Sequence, residues 1–147
     1  MIKKILVATD ASPASSRAVS FAARLSLQHE SELLLLNVIR DMQLPEILRE
    51  DPDFEAFYNA RDELMRQAAD LILAEAKQLV RKEGVKIVQT AIGSGDPATS
   101  IAGFARRRKI DMIVVGTRGL SKVKASSMGS VSRKLLDLTE VNCLVVR

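Results

Sequence analysis

ILVATDASPASSRAVSFAARL, residues Ile5 to Leu25, changes character halfway along. Its first residues are apolar and β-branched, and they predict a strand over Ile2 to Thr9 that is buried on both faces. A helix entry follows. Ser12 can cap the first-turn amides, Pro13 suits the first helical turn, and Ala18, Phe21, Ala22 and Leu25 supply an apolar stripe. A strand that runs through a short turn into a capped helix is the building unit of a parallel α/β sheet. The lysines before it do not make a targeting signal, because the apolar run is too short and meets Asp10 at once.

The unit recurs along the chain. Leu33 to Ile39, Lys86 to Ile92, Met112 to Val115 and Cys143 to Val146 read as further strands. From about Arg61 the spacing of Leu64, Ala68, Leu71, Ile72 and Leu79 predicts a long amphipathic helix that ends at Gly84, a residue that tolerates a left-handed cap. Asp41 to Asn59, with Pro45, Pro52 and many acids, reads as a mobile crossover loop with a short helical turn. Asp96 with Pro97 opens a third helix, and Ser130 or its neighbours open a fourth. The expected fold is therefore α/β: a single domain with an open five-stranded parallel sheet, helices on both faces, Rossmann-like in its strand order 3-2-1-4-5. In such sheets a ligand lies beyond the carboxyl ends of the strands, where strand order reverses. That singles out Thr9-Asp10, Asn37 to Arg40, and the chain from Gly116 onward.

Composition narrows the function classes. The 147 residues suit one domain, and no apolar run of membrane-spanning length exists, so a soluble protein without a membrane role is expected. One cysteine, Cys143, and one histidine, His29, offer no internal disulfide and no Cys/His metal set, which fits a reducing cytoplasm. Cys143 reads as core and His29 as a surface residue closing the first helix. The net charge of +4 is unevenly spread. Phe104 to Lys134 holds nine Lys or Arg against one acid, Asp111, whereas Asp41 to Glu83 holds eleven acids against six bases. A basic C-terminal half suits an anionic ligand, although Arg106 to Lys109 also reads as a solvated helix end. Nucleic acid is disfavoured as a partner. With 3% aromatic residues and no Trp, the chain lacks a platform for stacking bases.

The anion has a natural place. In VGTRGLSKVKASSMGS, Val115 to Ser130, Gly116 and Gly119 come where the chain leaves a strand and Gly129-Ser130 where a helix begins. Glycines permit positive φ and close approach of a ligand to the amides, and a helix start favours phosphate. Arg118, Lys122 and Lys124 surround the segment with positive charge. Ordinary turn punctuation explains the same glycines. The Gly-Lys-Ser/Thr ending of a P-loop is missing.

The spacing Gly116, two residues, Gly119, nine residues, Gly129-Ser130 resembles the G-x2-G-x9-G-S/T signature of nucleotide-binding universal stress proteins. The resemblance extends to ILVATDASPASSRAV at Ile5 to Val19, GSGDPATSI at Gly93 to Ile101, and GSVSRKLL with CLVVR near the end. It implies an adenine nucleotide, usually ATP, with or without Mg2+, bound at the strand-end crevice of a homodimer paired through the C-terminal strand. Carried over by position, Ala8, Thr9 and Asp10 would lie beside the ribose and adenine, with the Asp10 carboxylate a candidate for sugar hydroxyls or a cation. The backbone of Val38 would meet the adenine edge, and Val115 and Gly116 would border the ribose. Arg118, Gly119, Gly129, Ser130 and Val131 would hold the phosphates. Asp10 also suits a helix-entry or Asx-turn role. The sequence departs from the family at Ala125-Ser126-Ser127, where bulky apolar residues are common, and at Asn142, where proline is.

Other readings are weaker. Gly93-Ser94-Gly95-Asp96-Pro97-Ala98 imitates a dinucleotide fingerprint, but it follows the third strand, and Asp96 as an N-cap explains it. No Ser-His-Asp set or carboxylate pair can be assembled, so the expected protein is a stress-response or signalling module without catalytic residues, with slow ATP hydrolysis left open. A receiver-like signalling domain lacks its carboxylate at the end of the third strand. An adenine-nucleotide-dependent ligase lacks its Ser-Gly-Gly loop after the first.

Overall fold

The computed structural model describes residues 1–117 and 128–147. The strands are β1 (Lys4–Ala8), β2 (Glu32–Ile39), β3 (Gln89–Ser94), β4 (Met112–Gly116) and β5 (Asn142–Val146). The helices are α1 (Pro13–His29), α2 (Phe54–Lys82), α3 (Pro97–Arg108) and α4 (Ser130–Leu138), with a 3₁₀ turn at Glu46–Glu50. All strand pairs are parallel, in the order β3-β2-β1-β4-β5. The expected doubly wound arrangement is therefore the observed one, with the order reversing between β1 and β4. A receiver-like sheet, ordered 2-1-3-4-5, would place β3 inside; here it is an edge.

Alternation along the strands divides the core into two layers. Ile5, Val7, Leu33, Leu35 and Val114 pack under α1 and α2, against Val19, Ala22, Leu73 and Val80. Leu6, Leu34, Leu36, Ile113 and Val115 pack on the other face against Ile101, Ala105 and Leu135 of α3 and α4. Burial on both faces is what gives these strands their nearly continuous apolar sequences.

α1 begins as its sequence dictates. The Ser12 hydroxyl accepts from the Ser15 amide at 3.2 Å, Pro13 opens the first turn, and Glu30 closes the helix in a left-handed conformation. Its buried face, however, is Ala14, Ser15, Ala18, Val19, Ala22, Ala23 and Ser26, and Phe21 is exposed. Small side chains set α1 close to the sheet, leaving no room there for a phenylalanine.

α2 and β3 depart most from the expectation. α2 starts at Phe54, inside the stretch read as loop, since Pro52 only delimits it and Glu55 suits its first turn. Leu64 and Leu71 are 59% and 72% exposed, whereas Ala69, Leu73, Ala76 and Val80 are buried. Only the C-terminal half of α2 lies on the core, and the N-terminal half extends past the sheet. β3 begins at Gln89, not Lys86, because the turn through Gly84, at φ +102°, carries Ile87 into solvent before Gln89 meets Leu34. Its pairing with β2 then runs to Ser94.

Candidate functional site

The carboxyl ends of β1, β2 and β4 enclose a cleft with two connected parts. The inner part, about 100 Å³, lies toward α3 and is lined by Ala8, Thr9 and Asp10 of β1 and its turn, and by Leu36, Asn37 and Val38 of β2. Ser15 of α1, Arg40 after β2, Pro97 and Ile101 of α3, Val115 and Gly116 of β4, and Val131 of α4 complete it. The outer part, about 460 Å³, is bounded by Asp10, Val38 and Gly116, by Gly129, Ser130, Val131 and Ser132 at the start of α4, and by Arg61, Met65 and Ile72 of α2. That is within the range of about 300–1,000 Å³ common for small-molecule sites. The structure thus brings together nine of the residues singled out in the sequence: Ala8, Thr9, Asp10, Val38, Val115, Gly116, Gly129, Ser130 and Val131. Arg118 and Gly119 lie outside the described residues, as do Lys122, Lys124, Ser126 and Ser127.

A buried polar network shapes the inner wall. The Asn37 side-chain amide donates to the Thr9 carbonyl at 2.8 Å, and the Thr9 amide donates to the Leu36 carbonyl at 2.9 Å. The Ser15 hydroxyl donates to the Ser12 carbonyl at 3.0 Å. Having spent its single proton there, it accepts from the Thr9 hydroxyl at 3.2 Å. The Thr9 side chain is therefore committed to the turn. Asp10 accepts the Ser12 amide on Oδ1 at 2.9 Å, an Asx-turn that spans Ala11 at φ 62°. Its Oδ2 has no partner among the described residues.

The helix starts around the cleft differ. α1 is capped by Ser12, and α3 by Asp96, whose Oδ2 accepts the Thr99 amide at 3.0 Å and the Thr99 hydroxyl at 2.8 Å. Together with Lys134, 3.1 Å from Oδ1, these donors hold the Asp96 carboxyl at a pKa of about 2. The GSGDPA segment is thus a capped helix entry, with Gly95 at φ +105°. α4 has Gly129 at its N-cap and no side-chain cap. Among the described residues the amides of Ser130, Val131 and Ser132 have no acceptor, as expected for an uncapped first turn.

Two expectations about the glycines need correction. Neither Gly116 nor Gly129 adopts positive φ; Gly129 sits at φ −61°, ψ 155°, open to any residue. Gly116 is required by packing, since an added Cβ would lie 2.8 Å from the backbone of both Ala14 and Ser15. The Gly129 amide donates to the Thr117 carbonyl at 2.5 Å and is engaged within the protein.

The sequence singles out Asn37 only as part of the strand end Asn37 to Arg40, although a lone amide side chain inside LLLLNVI is itself a signal, since a buried polar group must find a partner. Arg61 carries no such signal, since the apolar spacing begins a helix there and nothing in the chain shows that it walls the cleft. Among the described residues, no three His, Cys, Asp or Glu converge as a metal cluster, and no helix is long and apolar enough to cross a membrane.

Comparison with known proteins agrees with this architecture. The profile of the universal stress protein family matches residues 1–147. The universal stress protein YxiE of Bacillus subtilis is 33% identical over 152 residues, covering 100% of both chains. The solved structure of the protein MJ0577 superposes with a TM-score of 0.82 at 26% identity, over 99% of this chain and 96% of that one. A universal stress protein in complex with cAMP gives a TM-score of 0.73 at 22% identity, covering 99% of this chain and 97% of its own. One from Archaeoglobus fulgidus in complex with dAMP gives 0.67 at 19%, over 100% of both chains. The last two likenesses show a shared fold.

Proposed function

The chain belongs to the universal stress protein family, and from that premise and the cleft geometry we propose that it binds an adenine nucleotide, with ATP as its ligand. The observation that carries this reading is the first turn of α4, whose three amides have no acceptor among the described residues and whose residues line a chamber continuous with a narrow, largely apolar recess. A flat base suits the recess between Val38, Pro97 and Ile101, with the Val38 main chain at its edge. The ribose then lies against Asp10, Val115 and Gly116. The phosphates meet Ser130, Val131 and Ser132, where oriented N–H groups and the helix dipole favour negative charge. Arg118 and Gly119 complete the phosphate grip in this reading, as the G-x2-G-x9-G-S spacing suggests. Gly129 contributes by lacking a side chain.

Asp10 is the one carboxylate among the described residues lining the cleft, and Oδ1 is engaged by Ser12. Its other oxygen suits a ribose hydroxyl or Mg2+, an ion commonly held by one or two carboxylates together with phosphates. Among the described residues lining the cleft no general base stands beside it, and in this reading the protein acts as a nucleotide-responsive module with at most slow hydrolysis. Relatives of the same fold solved with cAMP and dAMP support an adenine ligand. The edge of β5 serves as the seat of a homodimer in this reading, since an unpaired strand edge invites pairing. The test is calorimetric titration of the purified protein with ATP, alongside assay of nucleotide released on denaturation. Saturable binding at one site per chain is expected. No heat and no released nucleotide would refute the reading.

A further inference from the structure

Two arginines of the cleft have no part in the proposed contacts. Arg40 follows the end of β2, and Arg61 lies about two turns into α2. An Arg61 Nη2 proton is donated to the Arg40 carbonyl at 2.8 Å, which holds the Arg61 side chain at the rim of the outer chamber. Both residues line that chamber, and Asp10 is the one opposing charge among its described lining residues. The Arg40 carbonyl occupies one nitrogen of the Arg61 fork, and a guanidinium has five donors in all. Across the chamber stand the α4 amides.

The chemistry of the two walls differs in a useful way. Three amides and the dipole of a nine-residue helix are equivalent to about half a positive charge, suited to a single phosphate. A di- or triphosphate tail carries more negative charge than these amides offset, so a further cation beside Arg118 of the proposed grip adds to its hold, and a planar guanidinium binds phosphate oxygens in pairs. Met65 and Ile72 lie on the same wall as Arg61 and give it apolar neighbours.

We infer that Arg61, oriented by the Arg40 carbonyl and assisted by the Arg40 side chain, forms a polyphosphate subsite that makes the cleft prefer nucleoside triphosphates over monophosphates. The inference rests on the nucleotide reading above and adds its selectivity. The experiment titrates ATP and AMP into the wild type, Arg61→Gln and Arg61→Lys at fixed ionic strength, and reads the ratio of the two affinities. Wild type favours ATP. Arg61→Gln lowers that ratio at least about tenfold, the size of one lost charge-assisted hydrogen bond, and Arg61→Lys recovers part of it as a point charge. If Arg61 served only the architecture, both affinities would fall alike and the ratio would stay. That result, or a wild type indifferent between ATP and AMP, overturns the subsite and leaves the nucleotide reading standing. A wild type that binds neither nucleotide overturns both.

Discussion

Gly116 and Gly129 belong to one spacing pattern but answer to different physics. At Gly116 any side chain collides with the backbone of α1 at 2.8 Å, and backbone cannot yield as a side-chain tip can. Gly116→Ala is therefore expected to cost about 1–3 kcal/mol, measured by urea unfolding. Gly129 has dihedrals open to any residue, so Gly129→Val should keep the unfolding midpoint while abolishing ATP binding. Equal loss of stability in both variants would count against this division. Asp96 offers a prediction in pH. Its carboxyl titrates near 2 in the folded chain against 3.8 ordinarily, so the stabilisation it gives is complete above 3.8 and disappears as pH falls toward 2. Asp96→Asn keeps the cap but carries no charge for Lys134. The stability gap between wild type and Asp96→Asn should thus close between about pH 5 and pH 2; a gap independent of pH would show the carboxylate charge to be idle.

The helices differ in how far local sequence determines them. α1 and α3 carry their beginnings in the chain as Ser12-Pro13 and Asp96-Pro97, and both start where those residues place them. α2 has no such mark, for Asp53 makes no side-chain cap, and its start at Phe54 was hidden behind the prolines and acids of the crossover. Its apolar residues also outnumber what the core accepts. Leu71 points to solvent while Leu73 is 5% exposed, a choice made by contact with α1 and β2 that periodicity alone does not settle. Leu71→Lys should change stability by no more than about 0.5 kcal/mol, and Leu73→Ala should cost about 2–5 kcal/mol, both by thermal or urea unfolding. The reverse ranking would mean that α2 is rotated about its axis. The same helix turns Arg61 toward the cleft, a placement that needs the tertiary fold to be seen.

Taken together, the molecule is a parallel sheet whose order reverses beside β1, and the cleft follows from that reversal. Alternating apolar runs and capped helix starts made this architecture legible, and with it the three strand ends where a ligand would lie. What the chain did not disclose was the division of labour at the site. Ser12, Thr9 and Ser15 serve the turn, Gly116 serves packing, and the α4 donors without an acceptor among the described residues begin at Ser130. The central claim is that these α4 amides hold the phosphates of an adenine nucleotide. Amide-resolved NMR during an ATP titration tests it most directly. The account predicts the largest shifts at Ser130, Val131 and Ser132, with the β3 edge from Gln89 to Ser94 little moved; ATP binding that leaves the three α4 amides unshifted would contradict it.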